Sequence, residues 1–183
     1  MALLRPFRQY HENDVVNLFA FDYHTDGAAT RGAVVKLSAG YQHDADLENV
    51  ALSNYANTIS DRWSVGAEVQ NCDLSLNEAP FGMLLYDVAE VDENGEKLVF
   101  NPRKADEMQV ALSGQAVPIL TRGLVMMNGV LGGSTTTIDA GVKAYTAADG
   151  GISTIGTATN AQQIGKFLGP TGANGDCLLK LEL

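Results

Sequence analysis

The C-terminal third of the chain alternates short apolar runs with turns that contain glycine. Such runs predict strands at 108–112, 117–127, 141–146, 151–155 and 177–183, separated by turns such as Asn128-Gly129, Gly132-Gly133 and Gly150-Gly151. Short strands that recur about every eight to twelve residues are typical of a β-sandwich or barrel. Residues 162–168 fit either one helical turn or a further strand.

The middle of the chain carries the strongest local turn signal. An apolar strand predicted at 82–91 is followed by Asn94-Gly95, which is typical of a two-residue hairpin turn because both positions tolerate positive φ. The pattern then predicts a return strand at 97–100 that ends at Pro102. Nearer the start, β-branched and aromatic residues predict strands at 15–21 and 31–37.

These elements predict a mainly β fold, a sandwich or barrel of short antiparallel strands. We expect residues 1–30 to form an extended N-terminal arm, and residues 31–183 to form a single β-rich domain. Residues 41–80 mix apolar positions with Asn and Ser, so we expect an irregular insertion there, with a short helix at 46–52.

Charge is concentrated in one part of the chain. The net charge is −10, and residues 44–107 hold fourteen acidic and four basic residues. A solvated outer face is the simplest interpretation. The alternative, a calcium site at 92–96, lacks the twelve-residue spacing of a calcium loop. The linear sequence contains no basic stripe, so we expect no nucleic-acid partner.

The two cysteines, Cys72 and Cys177, lack the spacing of a zinc site. A disulfide between them stays open, although buried thiols suit a protein assembled inside a cell. The N-terminus has no uninterrupted apolar region of the signal-peptide kind, and no apolar run reaches the length of a membrane span. We therefore expect neither secretion by a signal peptide nor a membrane partner.

Motifs of catalysis are missing from the sequence. His11, His24 and His43 do not have metal-ligand spacing, and G-x-S-x-G does not occur. Asp87 and Glu90 lie three apart on a predicted strand, so they point to opposite faces. We expect no enzymatic activity, no catalytic residue, no cofactor and no metal.

Residues 80–183 resemble the decoration (cement) proteins of tailed phages in their order of strands and glycines. The segments that carry this resemblance are 81–100, 112–125, 140–145, 150–152, 163–168 and 177–183. The resemblance implies a β-rich domain that binds the outer surface of a matured capsid, forms trimers and stabilises the shell. It also implies an N-terminal arm that lies across neighbouring capsid subunits.

We therefore expect a structural virion protein, made in the host cytoplasm, with the major capsid protein and further copies of itself as partners. Its predicted capsid contacts are the apolar and basic residues of the arm, with a weaker contact, to the capsid or within the homotrimer, at Trp63. The arm residues are Leu3, Leu4, Arg5, Phe7, Arg8 and Tyr10. The alternatives are another virion component, such as a head-fibre base, a tail-tube protein or a spike domain, and a β-barrel enzyme or small-ligand binder.

Overall fold

The structure is a computed structural model, and it describes residues 3–6, 14–40, 68–73, 78–112, 114–128, 138–154, 161–172 and 175–183. It confirms a mainly β fold, with 43% strand and 14% helix. Most of the strands belong to two six-stranded sheets, and one of the sheets is curled into a half-barrel.

Sheet A is antiparallel throughout. Its strand order is β1-β10-β14-β13-β11-β12. In that order the strands are β1 (Leu3–Pro6), β10 (Arg122–Asn128), β14 (Asp176–Glu182), β13 (Gln163–Phe167), β11 (Lys143–Thr146) and β12 (Ile152–Ser153). The segment that fitted either a helical turn or a strand is therefore the strand β13.

Sheet B has the order β2-β9-β6-β4-β5-β3, and only its β3–β5 pair is parallel. In that order the strands are β2 (Val15–Val16), β9 (Ile119–Leu120), β6 (Gly82–Leu84), β4 (Val34–Gly40), β5 (Glu68–Asn71) and β3 (Ala20–Phe21). A third, two-stranded parallel sheet joins β7 (Asp87–Val88) to β8 (Val110–Ala111). The short helix α1 (Tyr23–Asp26) follows β3.

Both faces of sheet B are buried. Neighbouring residues on its strands point to opposite sides, and each side meets an apolar cluster. Val34, Met83 and Leu120 pack with the inner face of sheet A in one apolar cluster. The residues beside them in sequence, Val35, Leu84 and Ile119, belong to a second cluster on the other face. The main core therefore lies between the two sheets.

Residues 14–30 belong to the folded domain, so the boundary predicted at residue 30 is wrong. Phe19, Ala20 and Phe21 are all buried, and the Phe19 ring meets Phe81 edge to face at 5.1 Å. Burial of apolar side chains of this size is favourable, and here they pack within sheet B and its outer apolar cluster. Leu3–Pro6 also pairs with its own chain, along β10.

A small lobe formed by residues 89–112 has its own apolar cluster around Leu98 and Ala105. The return strand predicted at 97–100 is wrong, because Leu98–Phe100 is a 3-10 helix. Pro102 begins the helix α2 (Pro102–Met108) instead of ending a strand, since the side chain of Asn101 accepts the backbone N–H of Lys104. Proline is favourable at the first position of a helix, where its missing N–H would have no helical partner.

Both cysteines are buried free thiols within the cluster between the sheets. In the described part of the chain, no helix is long and apolar enough to cross a membrane. The helix predicted at 46–52 lies outside the described residues.

Candidate interaction surfaces

The N-terminal segment forms one edge of both sheets. Strands β9 and β10 are separated only by Thr121, and together they run alongside β1 and β2. The register pairs Pro6 with Val125 on β10 and Val15 with Leu120 on β9. Thr121 connects the two sides by donating its backbone N–H to the Asp14 carbonyl at 2.9 Å.

Three of the predicted capsid contacts lie on this edge. In the register of β1 and β10, Leu3 stands opposite Asn128, Leu4 opposite Met127 and Arg5 opposite Met126. Strand β1 is the last strand of sheet A, so no described strand pairs with its outer side. The remaining predicted contacts, Phe7, Arg8, Tyr10 and Trp63, lie outside the described residues.

The lobe of residues 89–112 presents one large aromatic side chain to solvent. Phe100 is 83% exposed, whereas Leu98 in the same 3-10 helix is 1% exposed. An exposed aromatic on a surface that is otherwise polar is a frequent anchor of protein–protein contacts. No feature of the sequence indicates this exposure, because the pattern predicts Phe100 on a paired strand.

A network around Asp92 connects the turn at 92–96 to the helix α2. The Asp92 carboxylate accepts the backbone N–H groups of Asn94 and Glu96 at 2.8 Å each, and it forms an ion pair with Lys104. The hydrogen bond from Lys104 lowers the pKa of Asp92, burial opposes this, and the two backbone donors lower the pKa further. These contacts give the turn at 92–96 a structural role in the lobe.

An acidic cleft of about 600 Å³ lies beside β4, β5 and α1. Three carboxylates line it, from Asp26, Asp73 and Asp149, together with Lys36 and Asn71. The Asp26 carboxylate accepts the backbone N–H of Asn71 at 2.6 Å. Burial raises the pKa of Asp26, the Asn71 hydrogen bond opposes this, and the Asp22 carboxylate raises it further.

Among the described residues that line this cleft, the one basic side chain, Lys36, is already paired. Lys36 forms an ion pair with Glu78, whose other carboxylate oxygen accepts the backbone N–H of Asp73 at 2.7 Å. The Cys72 thiol donates to the Glu78 carbonyl at 3.9 Å. Burial, and after it the Glu78 charge, raises the pKa of Cys72 to about 11. The cleft is therefore a region of negative potential.

The outer face of sheet A carries a row of lysines, hereafter the lysine row. Lys143 stands opposite Lys166 across β11 and β13, and Lys166 stands opposite Lys180 across β13 and β14. Arg122 lies on the same face of β10, so all four basic residues after residue 108 share one surface. The linear sequence predicts no basic stripe, and this prediction is wrong because the strand register creates one.

Asp87 has a structural role. Its carboxylate accepts the Arg31 backbone N–H at 2.7 Å and a guanidinium N–H of the same residue at 3.1 Å. At Glu90 the backbone carbonyl accepts the Leu98 N–H at 2.9 Å.

Within the described residues, no group of three or more His, Cys, Asp or Glu side chains is placed to hold a metal ion. Of the histidines, only the backbone of His24 is described, in α1. Comparison with protein-family models, with curated proteins and with solved structures finds no match to the chain.

Proposed function

We propose that the chain is a capsid decoration protein of a tailed phage, which binds the outer surface of the matured shell and stabilises it. The observation that carries the proposal is the N-terminal edge shared by both sheets. This edge presents backbone donors and acceptors along β1 and β2 that no described strand occupies. An edge of this kind can bind a partner by adding a strand of the partner to its own sheet.

The fold is consistent with a rigid cap. Residues that carry the resemblance to decoration proteins supply six of the strands that enclose the core, namely β6, β9, β10, β11, β13 and β14. The strands pack closely at Gly82, where an added Cβ atom would lie 2.3 Å from the Cγ2 atom of Ile119. A cap that resists deformation transmits stabilisation to the surface that it covers.

In this proposal the contact set of Leu3, Leu4, Arg5, Phe7, Arg8 and Tyr10 meets the major capsid protein. The contact is made by a segment that starts as an edge strand of the domain, not by a free arm. Several copies, grouped as a homotrimer, bind together, so that modest contacts add up to tight attachment. The proposed location is the outer surface of the virion.

Binding to shells tests the proposal. The purified chain is mixed with expanded, undecorated shells of the phage that encodes it, and with unexpanded shells as a control. We expect saturable, stoichiometric binding to expanded shells only, with a higher Tm of the shell. Failure to bind, or equal binding to both forms, would overturn the proposal.

Two variants test the edge. Deletion of residues 1–6 removes β1. The double substitution Arg5→Glu with Arg8→Glu keeps β1 but reverses the charge of the N-terminal segment. Both should weaken shell binding by at least about tenfold. The matched control is Arg103→Glu, which makes the same kind of charge change at a side chain that is 89% exposed. If the charge-reversed protein binds as tightly as this control, the edge is not the contact.

A further inference from the structure

The lysine row places like charges directly opposite one another. Neighbouring strands lie about 4.8 Å apart, and like charges in opposed positions destabilise a sheet. In the described part of the chain, neither Lys143 nor Lys166 forms an ion pair, while Lys180 pairs with Glu182. The chain carries only twelve basic residues and a net charge of −10, so its composition does not explain why four of the basic residues share one face.

Apolar side chains border the row. Leu124 stands opposite Lys180, and Met126 stands opposite Leu178. All three apolar residues are half-buried, so part of each side chain remains open to a partner. A surface that combines cations with apolar contacts suits an acidic protein surface better than a nucleic-acid backbone, which offers phosphates alone.

The same chain carries a surface of complementary charge. The acidic cleft gathers Asp26, Asp73 and Asp149, and Asp22 and Glu68 lie close to it. Burial raises the pKa of Glu68 and that of Asp26, and repulsion from the nearby Asp22 charge raises both further. Cations from a partner would relieve this repulsion.

Within one chain the two surfaces cannot meet. Sheet A packs its inner face against sheet B, and the lysine row lies on the opposite, outer face. We propose that copies of this chain associate head to tail, with the lysine row of one copy against the acidic cleft of the next. A heterologous contact of this kind closes into a ring when its rotation allows.

This inference rests on the self-association in the proposed function, but not on the capsid. Its test therefore uses the pure, full-length chain in sedimentation velocity at low and at high salt. We expect a small oligomer at low salt that dissociates as salt rises, because screening weakens contacts between charged surfaces.

Two single substitutions test the two surfaces of the proposed contact separately. Lys166→Glu alters the lysine row, and Glu68→Lys alters the acidic side. Each should weaken self-association at least about tenfold. An equimolar mixture of the two variants should assemble again, since each supplies the surface that the other has lost. The matched controls are Lys97→Glu and Glu93→Lys, which make the same charge changes on the exposed lobe.

Folding is checked in the same samples. Lys166→Glu places an acid between two lysines, so its Tm should equal or exceed that of the wild type. A wild type that stays monomeric at low salt, or variants that assemble like their controls, would overturn the inference. The inference would also fail if the wild type is monomeric and Lys166→Glu abolishes shell binding, because the lysine row would then bind the shell and not a second copy. Loss of shell binding with intact self-association would instead count against the proposed function alone.

Discussion

A Cβ atom at Gly165 would lie 2.0 Å from the backbone carbonyl oxygen of Lys180, on the neighbouring strand of sheet A. Because the obstructing atom belongs to the backbone of β14, no side-chain rotation can relieve the contact. The lysine row thus depends on a glycine, since the close approach of β13 to β14 sets Lys166 beside Lys180.

Replacement of this glycine should destabilise the domain. We expect Gly165→Ala to lower the free energy of unfolding by about 2 to 3 kcal/mol, since overpacking forces the backbone to move. Urea denaturation measures the change. Gly169→Ala is the matched control, because a Cβ there meets nothing within 4 Å, and it should change stability by less than about 0.5 kcal/mol. Equal effects of the two substitutions would show that the tight contact is relieved elsewhere.

The Arg31–Asp87 contact should matter far more than the exposed pair of Arg103 and Glu107. The Asp87 side chain is 14% exposed and accepts two hydrogen bonds from Arg31, so Asp87→Ala should cost about 1 to 3 kcal/mol. Glu107 is 65% exposed, and Glu107→Ala should cost less than about 0.5 kcal/mol. Thermal unfolding of both variants gives the comparison, and a larger loss for Glu107→Ala would contradict the ranking.

The strands of sheet A could be predicted largely from local pattern. Apolar residues dominate β14, and its buried positions Cys177, Leu179 and Leu181 alternate along the strand. The strand at 15–21 was also predicted from its residues, although the structure divides it into β2 and β3. Local pattern does not reveal which strands pair with this segment. It therefore predicts residues 14–30 in an arm, whereas they belong to sheet B.

The candidate surfaces could not be predicted, because each depends on contacts between distant residues. Lys143, Lys166 and Lys180 lie more than ten residues apart in sequence and meet only through the register of three strands. Pro102 shows a different limit: proline can end a strand or begin a helix, and the cap from Asn101 decides between them.

Stability should fall at alkaline pH because of Cys72. Burial, with the Glu78 charge, raises the pKa of this thiol from 9.0 to about 11, so the folded state holds the proton that the unfolded state releases. The contribution is fully present below pH 9 and is lost as the pH rises towards 11. Unfolding measured by urea between pH 8 and 11, values that bracket this shift, should show the decline.

Cys72→Ala should reduce that alkaline decline but not abolish it, because burial raises the pKa of the Cys177 thiol as well. It also lowers stability at every pH by leaving a small cavity. Thiol labelling gives a second readout. Both cysteines are buried, so they should react with an aromatic disulfide reagent at mildly alkaline pH only after denaturant is added. Rapid labelling of the native protein would contradict the burial on which the pH prediction depends.

Phe100 should contribute to binding and not to folding. Because its side chain is 83% exposed, Phe100→Ser removes little buried area and should leave Tm within about 1 °C of the wild type. Leu98→Ala, two residues earlier, empties a site that is 1% exposed and should cost about 2 to 5 kcal/mol. If Phe100 anchors the cap on its shell, Phe100→Ser should also reduce shell binding, because an aromatic anchor carries a large share of the energy of an interface. Calorimetry and shell sedimentation on the same samples separate the two effects, and an unfolding defect in Phe100→Ser, or unaltered binding, would exclude this role for the lobe.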